Sequence, residues 1–128
     1  MPVSIERLPL QPIVIVKVSE PFNPATEMEA VGRQFMEMAQ AIGRPVYRII
    51  DTTHWHMSFS DLVNVMDEDV RSGADSDPNI HSILVGTSEF VALGSQASKQ
   101  EHYGGKHIPL FASMEEALAY IHTDLIPR

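Results

Sequence analysis

Along this chain a strand-like hydrophobic period and a helix-like one exchange places repeatedly, and that alternation is what most narrows the fold. Val3 to Leu8 and Ile13 to Val18 are short β-rich runs separated by the turn signal Pro9-Leu10-Gln11-Pro12, which predicts an opening antiparallel hairpin. The second run alternates only around Lys17, the pattern of an inner strand. Asn23 and Pro24 then form an N-cap and first-turn pair. Met28, Val31, Phe35, Met38 and Ile42 recur at three- and four-residue spacing up to Gly43 and Pro45, which marks a first helix with a clear stop.

The apolar run Val46 to Asp51 is a third strand. Ser58 with Asp61 makes a capping-box-like start for a second helix, with Phe59, Leu62, Val63, Met66 and Val70 as its expected buried stripe and an end near Gly73. Ala74 to Asn79 has the composition of a loop, and Ile80 to Val85 is a fourth strand closed by Gly86-Thr87-Ser88. Glu89 to about Gln100 is a weaker helix carrying Phe90, Val91, Leu93 and Ala97, with Gly94 inside it at a cost of about 1 kcal/mol against alanine. The pair Gly104-Gly105 turns the chain toward a last strand, His107 to Phe111. Ser113 with Glu116 is a capping box for a final helix with Met114, Ala117, Leu118, Ile121 and Leu125 inward.

The order ββαβαβαβα predicts one α/β domain. A mostly parallel sheet of about five strands carries four helices, and the first hairpin supplies an antiparallel N-terminal strand. A chain of 128 residues can bury roughly two thirds of its unfolded surface, so its core needs no staple. The absence of cysteine excludes disulfides, thiolate metal sites and cysteine nucleophiles. The longest apolar runs fall far short of the ~20 residues that span a bilayer, and the N-terminus lacks a basic start with an apolar block; a cytoplasmic protein is expected. A net charge of −8, with nine scattered basic residues, argues against nucleic acid. Between Asp61 and Asp77 stand six acids, Asp61, Asp67, Glu68, Asp69, Asp75 and Asp77, against Arg71 alone. They read as a solvated face, or as a docking surface for a basic partner.

Chemistry concentrates where the third strand ends. In open α/β sheets, ligands and partners are met at loops leaving the carboxyl ends of strands. There this chain places Asp51, Thr52, Thr53, His54, Trp55, His56, Ser58 and Ser60, the candidate binding set. Loop hydrogen bonding is the plain role for Asp51, Thr52 and Thr53, and Trp55 suits a cap over the sheet end. His54 and His56 lie two apart and lack further ligands at metal-binding spacing, while His81, His102, His107 and His122 fall on separate elements; neither a metal nor another cofactor is expected. Ser58, His56 and Asp51 are the types of a nucleophilic triad, but no nucleophile elbow or oxyanion loop frames them, so no catalytic residue is assigned. Gly86, Thr87 and Ser88 form a candidate anion-binding turn at a helix start.

The element order, the Asp51-Thr52-Thr53 loop and the closing run from Phe111 through Ala112, Ser113, Met114, Glu115, Glu116, Ala117, Leu118, Ala119 and Tyr120 to Ile121 together resemble the STAS domains, especially the SpoIIAA-like group related to bacterial anti-sigma-factor antagonists. The resemblance implies a noncatalytic regulatory domain whose partner is a kinase that phosphorylates a serine at the start of the second helix. In that group an Asp-Ser dipeptide carries the phosphate. Here the region reads His56-Met57-Ser58-Phe59-Ser60-Asp61-Leu62, which makes Ser58 and Ser60 the candidate phosphorylation sites. Two functions follow: a protein-interaction domain working through the Asp51 to Ser60 loop and the second helix, or, by a more distant resemblance to lipid-binding folds, a binder of a small apolar ligand. Met28, Met36, Met38, Met57 and Met66 would give the latter an adaptable lining. The edge of the opening hairpin is a candidate homodimer surface.

Overall fold

The computed structural model describes residues 3–43, 45–74, 77–97 and 108–125. Five strands, β1 (Val3–Arg7), β2 (Ile13–Ser19), β3 (Val46–His54), β4 (Ile80–Val85) and β5 (Leu110–Phe111), lie side by side in sequence order. β1 runs antiparallel to β2, and every later neighbour is parallel. The helices are α1 (Pro24–Ile42), α2 (Phe59–Ser72), α3 (Glu89–Ala97) and α4 (Met114–Tyr120), the last running on into a π turn, Ile121–Leu125. The expected α/β architecture and element order are therefore those of the molecule. Among the described residues no helix is long and apolar enough to cross a membrane.

Consecutive strand order has a consequence for where helices go. Right-handed crossovers that always step the same way across a sheet leave their helices on one face. Val14, Val16 and Val18 of β2 and Val46 of β3 accordingly pack against Met28 and Phe35 of α1, with Val65 of α2 beside them. The alternate residues Ile13, Ile49, Ile83 and Val85 point to the opposite face and are covered by Ala117 of α4 and Ile121. Register holds the two faces apart: Val14 pairs with Arg48 and Arg48 with Ser82, while Ile15 pairs with Ile49 and Ile49 with Ile83.

Local chemistry sets the boundaries. The Asn23 side chain accepts from Ala25 N, and Gly43 closes α1 in the left-handed region at φ 69°. Ser58 and Asp61 complete a reciprocal capping box on α2. At α4 the box is only half formed. Ser113 Oγ accepts from Glu116 N at 3.2 Å, but the Glu116 carboxylate accepts from Ala112 N, one residue before the cap. The hairpin turns through Leu10 at φ 62°, with Leu8 N donating to Ile13 O at 2.9 Å.

Two expectations are corrected, and a third falls partly outside the described residues. On α2, Leu62, Glu68 and Asp69 are buried and Val65 and Met66 half-buried, while Phe59, Val63 and Val70 of the expected stripe are exposed. Helix α3 is described as far as Ala97, and the expected end near Gln100 lies outside the described residues; its Leu93 is exposed while Gly94 is buried. Strand β5 is two residues long; His102, Gly104, Gly105 and His107 lie outside the described residues, as does the side chain of Leu125. Gly94 has a packing reason, since a Cβ there would stand 2.9 Å from Leu62 Cδ1.

Candidate functional site

Strand β3 runs three residues past Asp51, and this extension sorts the candidate residues into an inner and an outer set. Thr52 falls on the helix-covered face, where its Oγ1 donates to Val85 O at 2.9 Å. Gly86 lies so close that a Cβ on it would come 2.4 Å from Thr52 Oγ1. Asp51, on the other face, is buried, and its Oδ1 accepts from Thr53 N at 3.0 Å and from Thr53 Oγ1 at 2.7 Å, an Asx-type closure. Trp55 is 6% exposed and meets Phe22 edge-on, ring centroids 5.2 Å apart. These three side chains are spent inside the fold.

The outer set is Thr53, His54, His56, Ser58 and Ser60, all exposed. Backbone contacts hold them in place: Glu20 N donates to His54 O, His56 N to the Glu20 carboxylate, and Trp55 N to Thr52 O. Ser58 Oγ accepts from Asp61 N at 3.1 Å while Ser58 N donates to Asp61 Oδ2 at 3.0 Å. Ser58 therefore bonds to Asp61, and Asp51 bonds to Thr53. The triad types are not brought together, and among the described residues no three acidic or imidazole side chains gather as a metal site. In the Gly86-Thr87-Ser88 turn, the Gly86 N–H already donates to Phe111 O at 3.0 Å, and Ser88 Oγ accepts from Phe90 N at 3.1 Å. Those groups serve β5 pairing and the start of α3.

Sheet order bears on whether a switch-point crevice is expected at this end. A binding cleft forms where strand order reverses and successive helices diverge to opposite faces. Here the order never reverses.

Sequence reasoning missed two features. The first is a buried ion pair between the sheet and α2. Arg48 is 3% exposed and forks onto Asp69, Nη1 to Oδ1 and Nη2 to Oδ2, each at 3.1 Å. Its Nε donates to Ser82 Oγ at 3.0 Å, and its Cζ sits 5.1 Å above the centre of the Phe35 ring. One guanidinium thus ties β3 to β4, α1 and α2. The signal was present: a lone cation inside Val46-Tyr47-Arg48-Ile49-Ile50 on a central strand requires a buried carboxylate, and Asp69 lies seven residues from the inward Leu62. Beside this pair runs an apolar cavity of about 60 Å³ lined by Met28, Val31, Thr52, Trp55, Met57 and Met66, among others.

The second is the outward apolar stripe of α2. Phe59 is 57% exposed, and its ring lies 6.4 Å from that of Phe90 on α3. Val63 and Val70 continue the stripe, and Leu93 flanks it. Fold and site define the class: a mixed α/β domain with three helices on one face, whose polar loop and outward apolar helix stripe share one edge. No protein-family model, curated protein or solved structure matches the chain.

Proposed function

We propose that this chain is a noncatalytic interaction domain of the STAS, SpoIIAA-like kind, acting in the cytoplasm and meeting a protein partner through the loop after β3 and the start of α2. The observation that carries the reading is Phe59. It stands out in water at the first position of α2, beside Phe90 and next to the exposed His54, His56, Ser58 and Ser60. An apolar anchor ringed by polar groups is how protein interfaces are built. Asp51, Thr52 and Trp55 take part only as the frame that sets the loop. If the partner is a kinase, Ser60 is the better acceptor, because Ser58 Oγ is held in its capping box beside the Asp61 carboxylate.

The alternative, a small apolar ligand, draws support from the cavity beside Trp55 and Met57. Its volume of about 60 Å³ falls well below the roughly 300–1,000 Å³ of sites for drug-sized molecules. That reading therefore requires the cavity to widen.

The test is quantitative affinity enrichment with the wild-type chain, Phe59→Ser and His56→Ala as baits. Proteins retained by the wild type and lost with Phe59→Ser, at an unchanged unfolding midpoint, are the expected result. Identical retention by all three baits would overturn the reading. A small molecule carried by the native protein in mass spectrometry would favour the alternative.

A further inference from the structure

The exposed stripe on α2 has a geometry that selects its occupant. Helical period places Phe59, Val63 and Val70 within one narrow sector of α2, about 16 Å long at the rise of an α-helix. Helix α3 forms the neighbouring wall, with Phe90 against Phe59, Gly94 against Leu62, and Leu93 exposed beside them. Spacing of i, i+4 and i+11 on one helix, bordered by a second, is a seat for an amphipathic helix.

Charge narrows the choice further. Asp67 lies at the angular edge of the stripe, and Glu89 opens α3 as an exposed residue beside Phe90. Within Phe59 to Val70 and within α3 there is no lysine or arginine, and Arg71, just beyond, is bonded to Glu68 at 2.9 Å. On a chain of net charge −8, this acidic rim disfavours a second copy of the same surface and an anionic membrane alike.

Resting on the interaction reading above, we propose that the α2–α3 surface takes a basic amphipathic helix of a partner protein, whose apolar face covers Phe59, Val63 and Leu93 and whose lysine or arginine residues meet Asp67 and Glu89.

The test uses three synthetic peptides of about 18 residues, roughly 27 Å of helix. One has leucines at i, i+4, i+7 and i+11 flanked by lysines, one replaces each lysine with glutamate, and one scrambles the basic sequence. Binding is read by fluorescence anisotropy of labelled peptide against the full chain. The basic helix should bind at least about tenfold tighter than the acidic one at ~0.05 M salt, and the gap should shrink by ~0.5 M as the Debye length contracts. Val63→Asp should weaken the basic peptide about tenfold, and Asp67→Lys with Glu89→Lys should reverse the preference. The variants alter exposed or rim positions, and circular dichroism verifies that they stay folded. Absence of binding, equal binding of basic and acidic peptides, equal binding of the scrambled peptide, or indifference to Val63→Asp each overturns the proposal. So does a concentration-dependent dimer in sedimentation that Val63→Asp abolishes, which would make the occupant a second copy. A cellular partner lost with Phe59→Ser while the peptides show no charge preference would leave the interaction reading standing and remove only this one.

Discussion

Replacing Asp69 with alanine should destabilise this protein more than any exposed change on the same helix. The carboxylate receives two hydrogen bonds at 3.1 Å from a guanidinium that is 3% exposed, so its removal takes a bidentate anion away from a desolvated cation. Breaking a buried pair from one side costs about 3–5 kcal/mol, a large share of the roughly 5–15 kcal/mol by which domains of this size are stable. With a urea dependence of ~2 kcal/mol per molar, a loss of ~4 kcal/mol moves the unfolding midpoint down by about 2 M. Arg48→Met should cost a similar ~3–5 kcal/mol, because it strands the Asp69 carboxylate instead.

The informative measurement is the double variant Arg48→Met with Asp69→Leu. Both charges leave together, so most of the penalty should disappear. The losses that remain include the Ser82 hydroxyl without the Nε donor, ~1 kcal/mol, and the cation–π contact with Phe35, about 0.5–2 kcal/mol. The double variant should therefore lose roughly 1–3 kcal/mol, against ~6–10 kcal/mol if the single costs added. Urea titrations followed by far-ultraviolet circular dichroism, with the slope checked for two-state behaviour, give all four corners of the cycle. Additive losses would show the two charges uncoupled, and an Asp69→Ala cost under ~1 kcal/mol would show the same, since either places the pair in water.

Gly86→Ala should cost about 1–3 kcal/mol, because the new Cβ would stand 2.4 Å from Thr52 Oγ1, and in a Thr52→Ala background most of that cost should vanish in thermal melts. Leu10→Gly should stabilise by roughly 0.5–1 kcal/mol, since Leu10 holds φ 62° while 94% exposed and buries nothing; a loss of stability in denaturant titration would contradict this. Trp55→Ala should destabilise by about 3–5 kcal/mol through loss of its packing on Phe22, whereas His56→Ala, on an exposed side chain, should stay within ~0.5 kcal/mol; equal costs would count against the inner and outer division of the loop.

Where sequence carried a local signal, the fold was legible. Asn23 before Pro24, Ser58 with Asp61, and Gly43 and Gly73 in left-handed caps bound their helices by chemistry complete within a few residues. The candidate site was legible in place and only partly in content. Asp51 and Thr52 look like a polar loop in sequence, but β3 continues through them, and alternation then turns Thr52 toward Val85 on one face and buries Asp51 on the other. Nothing local reports how far a strand extends once its neighbours supply partners, as Ser19 of β2 does for His54. The stripe on α2 failed for a related reason. Hydrophobic period finds a helix, but not which side of it faces in.

That side is fixed by Arg48. On the helix-covered face of β3 it sits between Val46 and Ile50 and requires an anion, and α2 meets that demand by turning Asp69 inward beside the buried Leu62. Glu68 follows it into the interface with α1, where the close approach at Gly32 leaves room for its side chain and Arg71 neutralises it from the surface. Rotating α2 to satisfy one cation therefore turns Phe59, Val63 and Val70 out together, since all three share the sector opposite the α1 contact. The buried pair and the exposed apolar stripe are two sides of one helix orientation. A domain selected for stability alone would do as well with a methionine at position 48 and α2 rotated to bury the stripe. Keeping the pair keeps the stripe turned outward.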